Sequence, residues 1–197
     1  MPEGAWYTRA NSSRRMIAAY DRLYRWYRRL DTANADIPPV LRVEIRRARR
    51  TIWLSDRTTV RRGDPVGVLH LNNRRVVVVH TRWREPMAVG LAFRRDLFES
   101  LRRLATLAAR GERLGDVRAF TAVTILHHGL PRLGFEFDLR GLAFPRLTGA
   151  YQRALLASLH PRGAGRTLPL ASGQAERLWI SRDRLLARFA ASASRAG

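Results

Sequence analysis

The sequence contains neither cysteine nor lysine: all 37 of its basic residues are arginine. The lack of cysteine excludes disulfide bonds, thiolate zinc sites and cysteine nucleophiles. The lack of lysine bears on the net charge of +21. Lysine is a good phosphate ligand, so selection for phosphate binding would not remove it, whereas a GC-rich genome would, because arginine codons are GC-rich. We therefore interpret the arginines as codon bias on a solvated surface, with non-specific contact to nucleic acid or anionic membrane at low salt.

Several sequence motifs are also missing. The chain has no GxxxxGK phosphate loop, no GxGxxG, no GxSxG nucleophile elbow and no HExxH motif. No cofactor and no metal are therefore predicted. The apolar run at 76–79 is far shorter than the roughly 20 residues that span a bilayer. Residues 1–13 lack the basic start and apolar stretch of a signal peptide, so the sequence predicts a cytoplasmic protein.

The length and composition are those of one globular domain. The chain has 197 residues, of which 46% are hydrophobic, enough for a single core. We predict a flexible leader at 1–13, one α+β domain at 14–190 and a disordered tail at 191–197. Within the domain we expect a mixed sheet flanked by helices.

The first predicted helix, 14–30, is amphipathic and rich in aromatic residues. Its apolar side chains recur at helical spacing, and arginines occupy the other side. Such a helix either lies on a membrane surface or packs its aromatic stripe on the core; we favour the core. A polar linker is predicted at 31–39.

The remaining elements follow from hydrophobic spacing and turn residues. Strands are predicted at 41–45, 51–54, 58–60, 66–71, 75–80, 117–126, 134–139 and 178–180. Helices are predicted at 86–110, 144–159 and 182–189. Gly111 is a suitable C-cap for the first of these helices, and Ser181 is a suitable N-cap for the last.

Strand directions predict which side chains share an edge of the sheet. The pair Asn72-Asn73 indicates a tight hairpin, so that 66–71 and 75–80 are antiparallel. The helix at 86–110 is then a crossover that makes 117–126 parallel to 75–80, and 134–139 runs back. These directions place His80, His127, His128 and His160 at one edge, and His70 with Asn72 at the opposite edge.

The histidine-bearing edge is the predicted functional site. His128 and His160 are the candidate acid or base, and His127, Arg132 and Arg162 are candidate binding residues. Imidazole and guanidinium groups suit an anionic small molecule or glycan carrying phosphate or carboxylate. The alternative is structural, because a histidine at a strand end often bonds a backbone carbonyl and His-Pro often ends a helix.

Two further sites were considered in the same way. His70 and Asn72 form a second, weaker candidate site, for which hairpin turn chemistry is the alternative. A metal site at His127 and His128 is disfavoured, because adjacent residues of an extended segment point to opposite faces.

Four phrases of the sequence carry a resemblance to a known family. They are 54–56 (LSD) leading to 62–66 (RGDPV), 69–73 (LHLNN), 124–129 (TILHHG) leading to 132–136 (RLGFE), and 160–163 (HPRG) followed by 179–181 (WIS). In order and spacing they resemble the YkoP-like domain, a bacterial family that occurs alone or behind a polysaccharide deacetylase domain. The resemblance covers residues 18–190 and implies no particular catalytic or binding residue.

The chain departs from the family pattern in two ways. The family tends to have glycine after the aspartate of its first turn, whereas this chain has Arg57. If that turn needs a left-handed residue, arginine costs on the order of 1 kcal/mol. The acidic and histidine motifs that bind metal in polysaccharide deacetylases are also missing, so the chain is not expected to deacetylate sugars itself.

Three functions remain open at this point. The leading hypothesis is an accessory or anion-recognition module with a functional link to a polysaccharide deacetylase in envelope metabolism, which the resemblance implies by analogy. The second is an enzyme that acts on a phosphorylated or glycan substrate with a histidine acid or base. The third is a nucleic-acid-binding protein that uses its arginine surface.

Overall fold

The computed structural model describes residues 34–72, 86–111, 114–159 and 173–190. These ranges contain eight strands, three α-helices and one 3₁₀ turn at Pro131–Leu133. The strands are β1 Asn34–Ile37, β2 Leu41–Arg47, β3 Ile52–Trp53, β4 Thr59–Val60, β5 Pro65–Leu71, β6 Ala119–Thr124, β7 Glu136–Phe137 and β8 Glu176–Ser181. The helices are α1 Pro86–Arg110, α2 Pro145–Leu159 and α3 Arg182–Phe189.

The strands form one large mixed sheet and one small sheet. The large sheet has the order β1-β2-β5-β6-β8-β7, and β3 pairs with β4 separately. β5 and β6 are parallel, and every other neighbouring pair in the large sheet is antiparallel. The predicted α+β class with a mixed sheet is confirmed.

The main core lies between one face of the large sheet and two helices. Because side chains alternate along a strand, Val43, Leu69, Phe120 and Leu178 point to this face and are buried. α1 and α3 cover it with apolar side chains at helical spacing, among them Leu101, Leu104, Ala108, Leu185 and Phe189. None of the helices in the described ranges is long and apolar enough to cross a membrane.

The small sheet packs against the other face of the large sheet. Ile52, Leu54 and Val60 form a second buried cluster with Val66, Ala119 and Trp179 of the large sheet. This contact positions the β3–β4 turn over one end of β8. It therefore brings the polar residues of this turn next to β7 and β8, where they take part in the polar cluster described below.

Several predicted elements are confirmed. α1 has the predicted bounds, and Gly111 follows it with a φ of 74°, a backbone conformation that glycine adopts without strain. Ser181 is the N-cap of α3, and its hydroxyl accepts a hydrogen bond from the backbone N–H of Arg184 at 3.0 Å. The predicted leader, helix 14–30, strand 75–80 and tail 191–197 lie outside the described residues.

The predicted linker at 31–39 was wrong in part, because it contains β1. Residues 34–37 read as polar, but their backbone pairs antiparallel with β2 from Asn34↔Glu44 to Ile37↔Leu41. Ile37 is fully buried in the main core. Strand pairing thus outweighs the low strand propensity of this segment.

The predicted strand directions were also wrong. β5 has β2 on one side and β6 on the other, and it runs parallel to β6 rather than opposite to it. β7 and β6 both pair antiparallel with β8, so β7 runs in the same direction as β6. The physical reason is that α1 is the crossover for β5 and β6 themselves, which parallel neighbours require.

Candidate functional site

The parallel pair β5–β6 brings two groups of predicted site residues to one edge of the sheet. His70 and Asn72 lie at the carboxyl end of β5, and His127 and His128 follow the carboxyl end of β6. The prediction that placed these pairs at opposite edges was wrong, because it depended on the strand directions. His160, Arg162 and His80 lie outside the described residues.

The rings of His127 and His128 lie side by side, with centroids 4.4 Å apart and planes inclined by 40°. They do so because the chain turns after β6: the Leu130 N–H donates to the His127 carbonyl oxygen at 3.0 Å. The prediction that these two adjacent histidines point to opposite faces was therefore wrong. Within the described ranges, however, no three histidine or carboxylate side chains are grouped as metal ligands would be.

His127 is the buried member of this pair and His128 the exposed one. The His127 ring packs edge-on against Phe137 of β7, with centroids 5.7 Å apart. Burial lowers the pKa of His127, and the neighbouring His128 lowers it further, whereas Glu176 opposes the shift. The buried imidazole is therefore neutral at pH 7, and His128 is the ring that meets solvent.

Arg132 lies in the same connection between β6 and β7, and a second arginine contacts its backbone. The 3₁₀ turn exposes Arg132, and the Nη2 group of Arg188 on α3 donates a hydrogen bond to the Arg132 carbonyl oxygen. A Cβ atom at Gly134 would contact the Arg188 side chain at 3.4 Å. Among the described residues, neither of these two guanidinium groups pairs with a carboxylate.

His70 has a carboxylate partner on β2. Its Nε2 lies 3.1 Å from Oε2 of Glu44, and Arg46 holds the same carboxylate with Nη2 and Nε, each at 2.7 Å. Burial alone would raise the pKa of Glu44, but the hydrogen bonds from His70 and Arg46 outweigh it and lower the pKa below 4.5. An ionised carboxylate only accepts hydrogen bonds, so His70 donates from Nε2 and the neutral ring keeps its lone pair on Nδ1.

Asn72 does not join His70 in a common group. Its Nδ2 donates to Asp36 Oδ1 at 3.4 Å, and the same oxygen accepts from Arg42 Nε at 3.2 Å. His70 and Asn72 therefore bond to different carboxylates. The two residues of the weaker candidate site share an edge of the sheet but no partner.

A polar cluster at the opposite edge was missed by sequence reasoning. We call Ser55, Asp56, Glu136, Ser181 and Arg184 the turn cluster. Glu136 accepts from the backbone N–H of Ser55 at 3.0 Å and from its hydroxyl, and Asp56 accepts from the hydroxyl of Ser181. Arg184 bonds the Ser55 hydroxyl at 3.0 Å and Glu136 at 3.4 Å. The available signal was that three of the four phrases carrying the family resemblance contribute Ser55, Asp56, Glu136 and Ser181; Arg184 lies outside them.

The turn cluster joins the β3–β4 turn to β7 and to the start of α3. Burial would raise the pKa of Asp56, but hydrogen bonds from Ser181 and Thr58 outweigh it and lower the pKa. The carboxylates of Asp56 and Glu136 thus both accept hydrogen bonds from donors within the described structure, as buried or half-buried carboxylates must. The arrangement fixes the position of the small sheet.

Asp138 is a third carboxylate in this part of the fold, and it is buried. Its side chain is 2% exposed and accepts hydrogen bonds from the guanidinium of Arg50, from Trp179 Nε1 at 3.2 Å and from the backbone N–H of Arg140 at 3.1 Å. Burial would raise the pKa of Asp138, but the bond from Arg50 and these other donors lower it. Asp138 therefore joins the segment between β2 and β3, the end of β7, and β8 through one buried charge.

Arg57 occupies the left-handed position that the family pattern suggests for glycine. Its φ is 69°, and it is the only residue other than glycine with a positive φ in the described ranges. The left-handed conformation costs an L-residue roughly 1–2 kcal/mol. Glycine avoids this cost, but it loses more conformational entropy on folding, which offsets about half of the gain.

We therefore expect Arg57→Gly to raise the free energy of unfolding by about 0.5–1 kcal/mol. Urea denaturation of the purified protein measures the change. Arg62→Gly is the matched control, because Arg62 is exposed in the next turn and has no positive φ. A gain in Arg62→Gly that equals the gain in Arg57→Gly would show that backbone strain at Arg57 is not the cause.

The comparison with protein families agrees with the four phrases and with the fold. A family model described as the YkoP domain matches residues 11–189. No curated protein and no solved structure matches the chain significantly. The matched region contains every described strand and α-helix. The chain therefore belongs to the YkoP domain family.

Proposed function

We propose that this domain is an anion-recognition module and that its binding site lies on the β6–β7 connection. The observation that carries the proposal is the contact of Arg188 with the Arg132 carbonyl oxygen. It brings the Arg188 guanidinium to the loop from which the exposed Arg132 side chain extends, and neither guanidinium has a carboxylate partner among the described residues. His128 is exposed on the same connection.

The loop that carries these side chains is ordered by its own backbone. The Leu133 and Phe135 N–H groups both donate to the Leu130 carbonyl oxygen, at 2.9 and 3.2 Å, and Leu130 is buried in the main core. Arg188 is held from the other side because Leu185 and Phe189 of α3 are buried. A preorganised loop loses little conformational entropy when it binds a ligand.

The chemistry of these groups favours a phosphate, a sugar phosphate or a carboxylate as ligand. A guanidinium presents its donors in a planar fork that matches such oxygens. An anion at this loop that both side chains reach is bound more tightly than by one arginine alone. The net charge of +21 accelerates the approach of anions in general. Arg162 and His160 stay predicted members of this site.

The test is anion binding by the full chain near physiological salt. Inorganic phosphate, a hexose phosphate and a uronic acid are the probes, measured by calorimetry and by the rise in melting temperature. We expect one of them to bind with one-site saturation, and Arg132→Ala and Arg188→Ala each to weaken that binding about tenfold or more, since a charged hydrogen bond contributes about 1.5–3 kcal/mol. His128→Ala is expected to reduce it as well.

Arg94→Ala is the matched control, because Arg94 is an exposed arginine on α1. It removes the same charge and is expected to leave the affinity unchanged. If Arg94→Ala and Arg132→Ala weakened anion binding equally, the loss would come from the lower overall charge, and the proposed site would be refuted. Binding that disappears near physiological salt would likewise indicate plain electrostatics.

The envelope part of the proposal rests on the family resemblance alone. The family occurs alone or behind polysaccharide deacetylase domains, so we propose that the ligand is an anionic glycan or its precursor and that a deacetylase acts on the same polymer. A gene for a deacetylase or a glycosyltransferase beside the gene for this chain would support that link. Negatively charged envelope glycan fragments then belong among the probes.

A further inference from the structure

The surface around the start of α2 exposes large apolar side chains that a globular domain normally buries. Leu139 is 99% exposed, and Phe144 and Leu147 are each 70% exposed. We call these three residues the apolar face. Clusters of this kind mark interaction sites rather than ordinary surface.

The contacts of the first part of α2 explain why Phe144 and Leu147 are exposed. Phe144, Leu147 and Tyr151 are spaced by three and four residues, so they lie on one side of the helix. On another side, Gln152 accepts from the Ile125 N–H and donates to the Val123 carbonyl oxygen, both at 2.8 Å. Gly149 is buried, and a Cβ atom there would lie 2.7 Å from the Gly173 carbonyl oxygen. Gln152 and Gly149 thus attach this part of the helix to the rest of the domain, and Phe144 and Leu147 are left in solvent.

The exposed charges beside the apolar face have one sign. Arg140 and Arg146 are exposed beside Leu139 and Leu147. The sequence contains no aspartate or glutamate between residues 139 and 175. Because the carboxylates elsewhere in the chain are interspersed with the arginines, this long stretch without any acid distinguishes the segment from the rest of the sequence.

We propose that the apolar face and its flanking arginines dock on an anionic lipid surface. Apolar side chains on a helix enter the boundary between headgroups and acyl chains, while arginines at the same depth bind lipid phosphates. A nucleic acid would satisfy the arginines but would leave Leu139 and Leu147 in water. The combination of exposed aliphatic side chains with arginine and no carboxylate therefore favours lipid. The docking surface is separate from the anion site, since it uses none of Arg132, Arg188 and His128.

The test is sedimentation of the full chain with vesicles near physiological salt. Vesicles of phosphatidylcholine mixed with phosphatidylglycerol are compared with vesicles of phosphatidylcholine alone. We expect binding to the anionic vesicles only. Leu147→Asp and Phe144→Asp are each expected to reduce the partition coefficient more than tenfold, and Arg140→Gln and Arg146→Gln about fivefold each, the loss for one basic residue near an anionic surface.

Leu91→Asp and Arg94→Gln on α1 are the matched controls, because they make the same changes at exposed positions outside the apolar face. Circular dichroism and the melting temperature verify folding, and Leu147→Ser replaces Leu147→Asp if the latter unfolds. Equal losses in the α1 controls, or unchanged binding in the apolar-face variants, would overturn the proposal. Binding to RNA or to an acidic protein without binding to vesicles would also overturn it. Phosphate binding that survives in Leu147→Asp separates this result from the anion site.

Discussion

Asp138→Ala is expected to lower the free energy of unfolding by about 3–5 kcal/mol, the cost of breaking a buried charge pair from one side. The carboxylate is 98% buried, and it accepts hydrogen bonds from Arg50, Trp179 and the Arg140 backbone. Removing it leaves a guanidinium and an indole N–H without their acceptor. Equilibrium unfolding in urea measures the loss.

Two controls separate the buried charge from other causes. Glu99→Ala removes a carboxylate from an exposed pair on α1, in which Glu99 lies 2.9 Å from Arg103, and exposed pairs of this kind contribute only about 0.3–0.5 kcal/mol. Asp138→Asn keeps the shape of the side chain and removes only the charge. A loss in Asp138→Ala no larger than that in Glu99→Ala would contradict the role assigned to Asp138.

The same carboxylate makes stability depend on pH. The pKa of Asp138 is lowered in the folded protein from 3.8, so its contribution is complete above that value and is lost as the pH falls through the lower folded pKa. Glu44 and Asp56 have lowered pKa values as well and add to the loss in the same acidic range. Asp138→Asn is therefore expected to flatten part of the acid unfolding curve.

Gly67→Ala is expected to cost about 1–3 kcal/mol, the usual penalty for overpacking a core. Gly67 lies in the middle of β5, and a Cβ atom there would lie 2.7 Å from Phe120 Cε1 and 3.0 Å from Val43 Cγ2. Both neighbours are fully buried, so neither ring nor methyl group has space to move. Thermal and urea unfolding measure the cost.

Gly90→Ala makes the same chemical change with the opposite expected sign. Gly90 is on α1, and nothing lies within 4 Å of its Cβ position, so alanine is expected to stabilise the helix by about 1 kcal/mol.

Replacing Phe120 with leucine is expected to recover part of the loss in Gly67→Ala, because the two side chains compete for one volume. A neutral Gly67→Ala, or an additive double variant, would refute the steric explanation.

Local sequence rules predicted the helices well. α1 and the N-cap at Ser181 depend on residues that are neighbours along the chain, whose spacing and capping chemistry act within a few turns. β1 was missed because its polar residues Asn34 and Asp36 carry no strand pattern, and its pairing with β2 supplies what propensity lacks. Such pairing is a property of two segments rather than of one.

The candidate site was predicted less completely for the same reason. His127, His128 and Arg132 were nominated from the sequence, and the structure places them on one connection. Arg188 was not nominated, because it follows Arg132 by 56 positions and only the packing of α3 brings the two together. The turn cluster was missed in the same way: Asp56 and Ser181 are separated by 125 residues.

The sequence by itself determined the class of fold, the bounds of α1, the family and the excess of positive charge. These depend on composition, on short-range periodicity and on phrases that are read in order along the chain. Only the tertiary structure decided that β5 and β6 are parallel, which carboxylates the arginines meet, and which side of α2 is left in solvent. Those outcomes depend on contacts between distant segments, and the energies of such contacts are set by the geometry of the whole sheet.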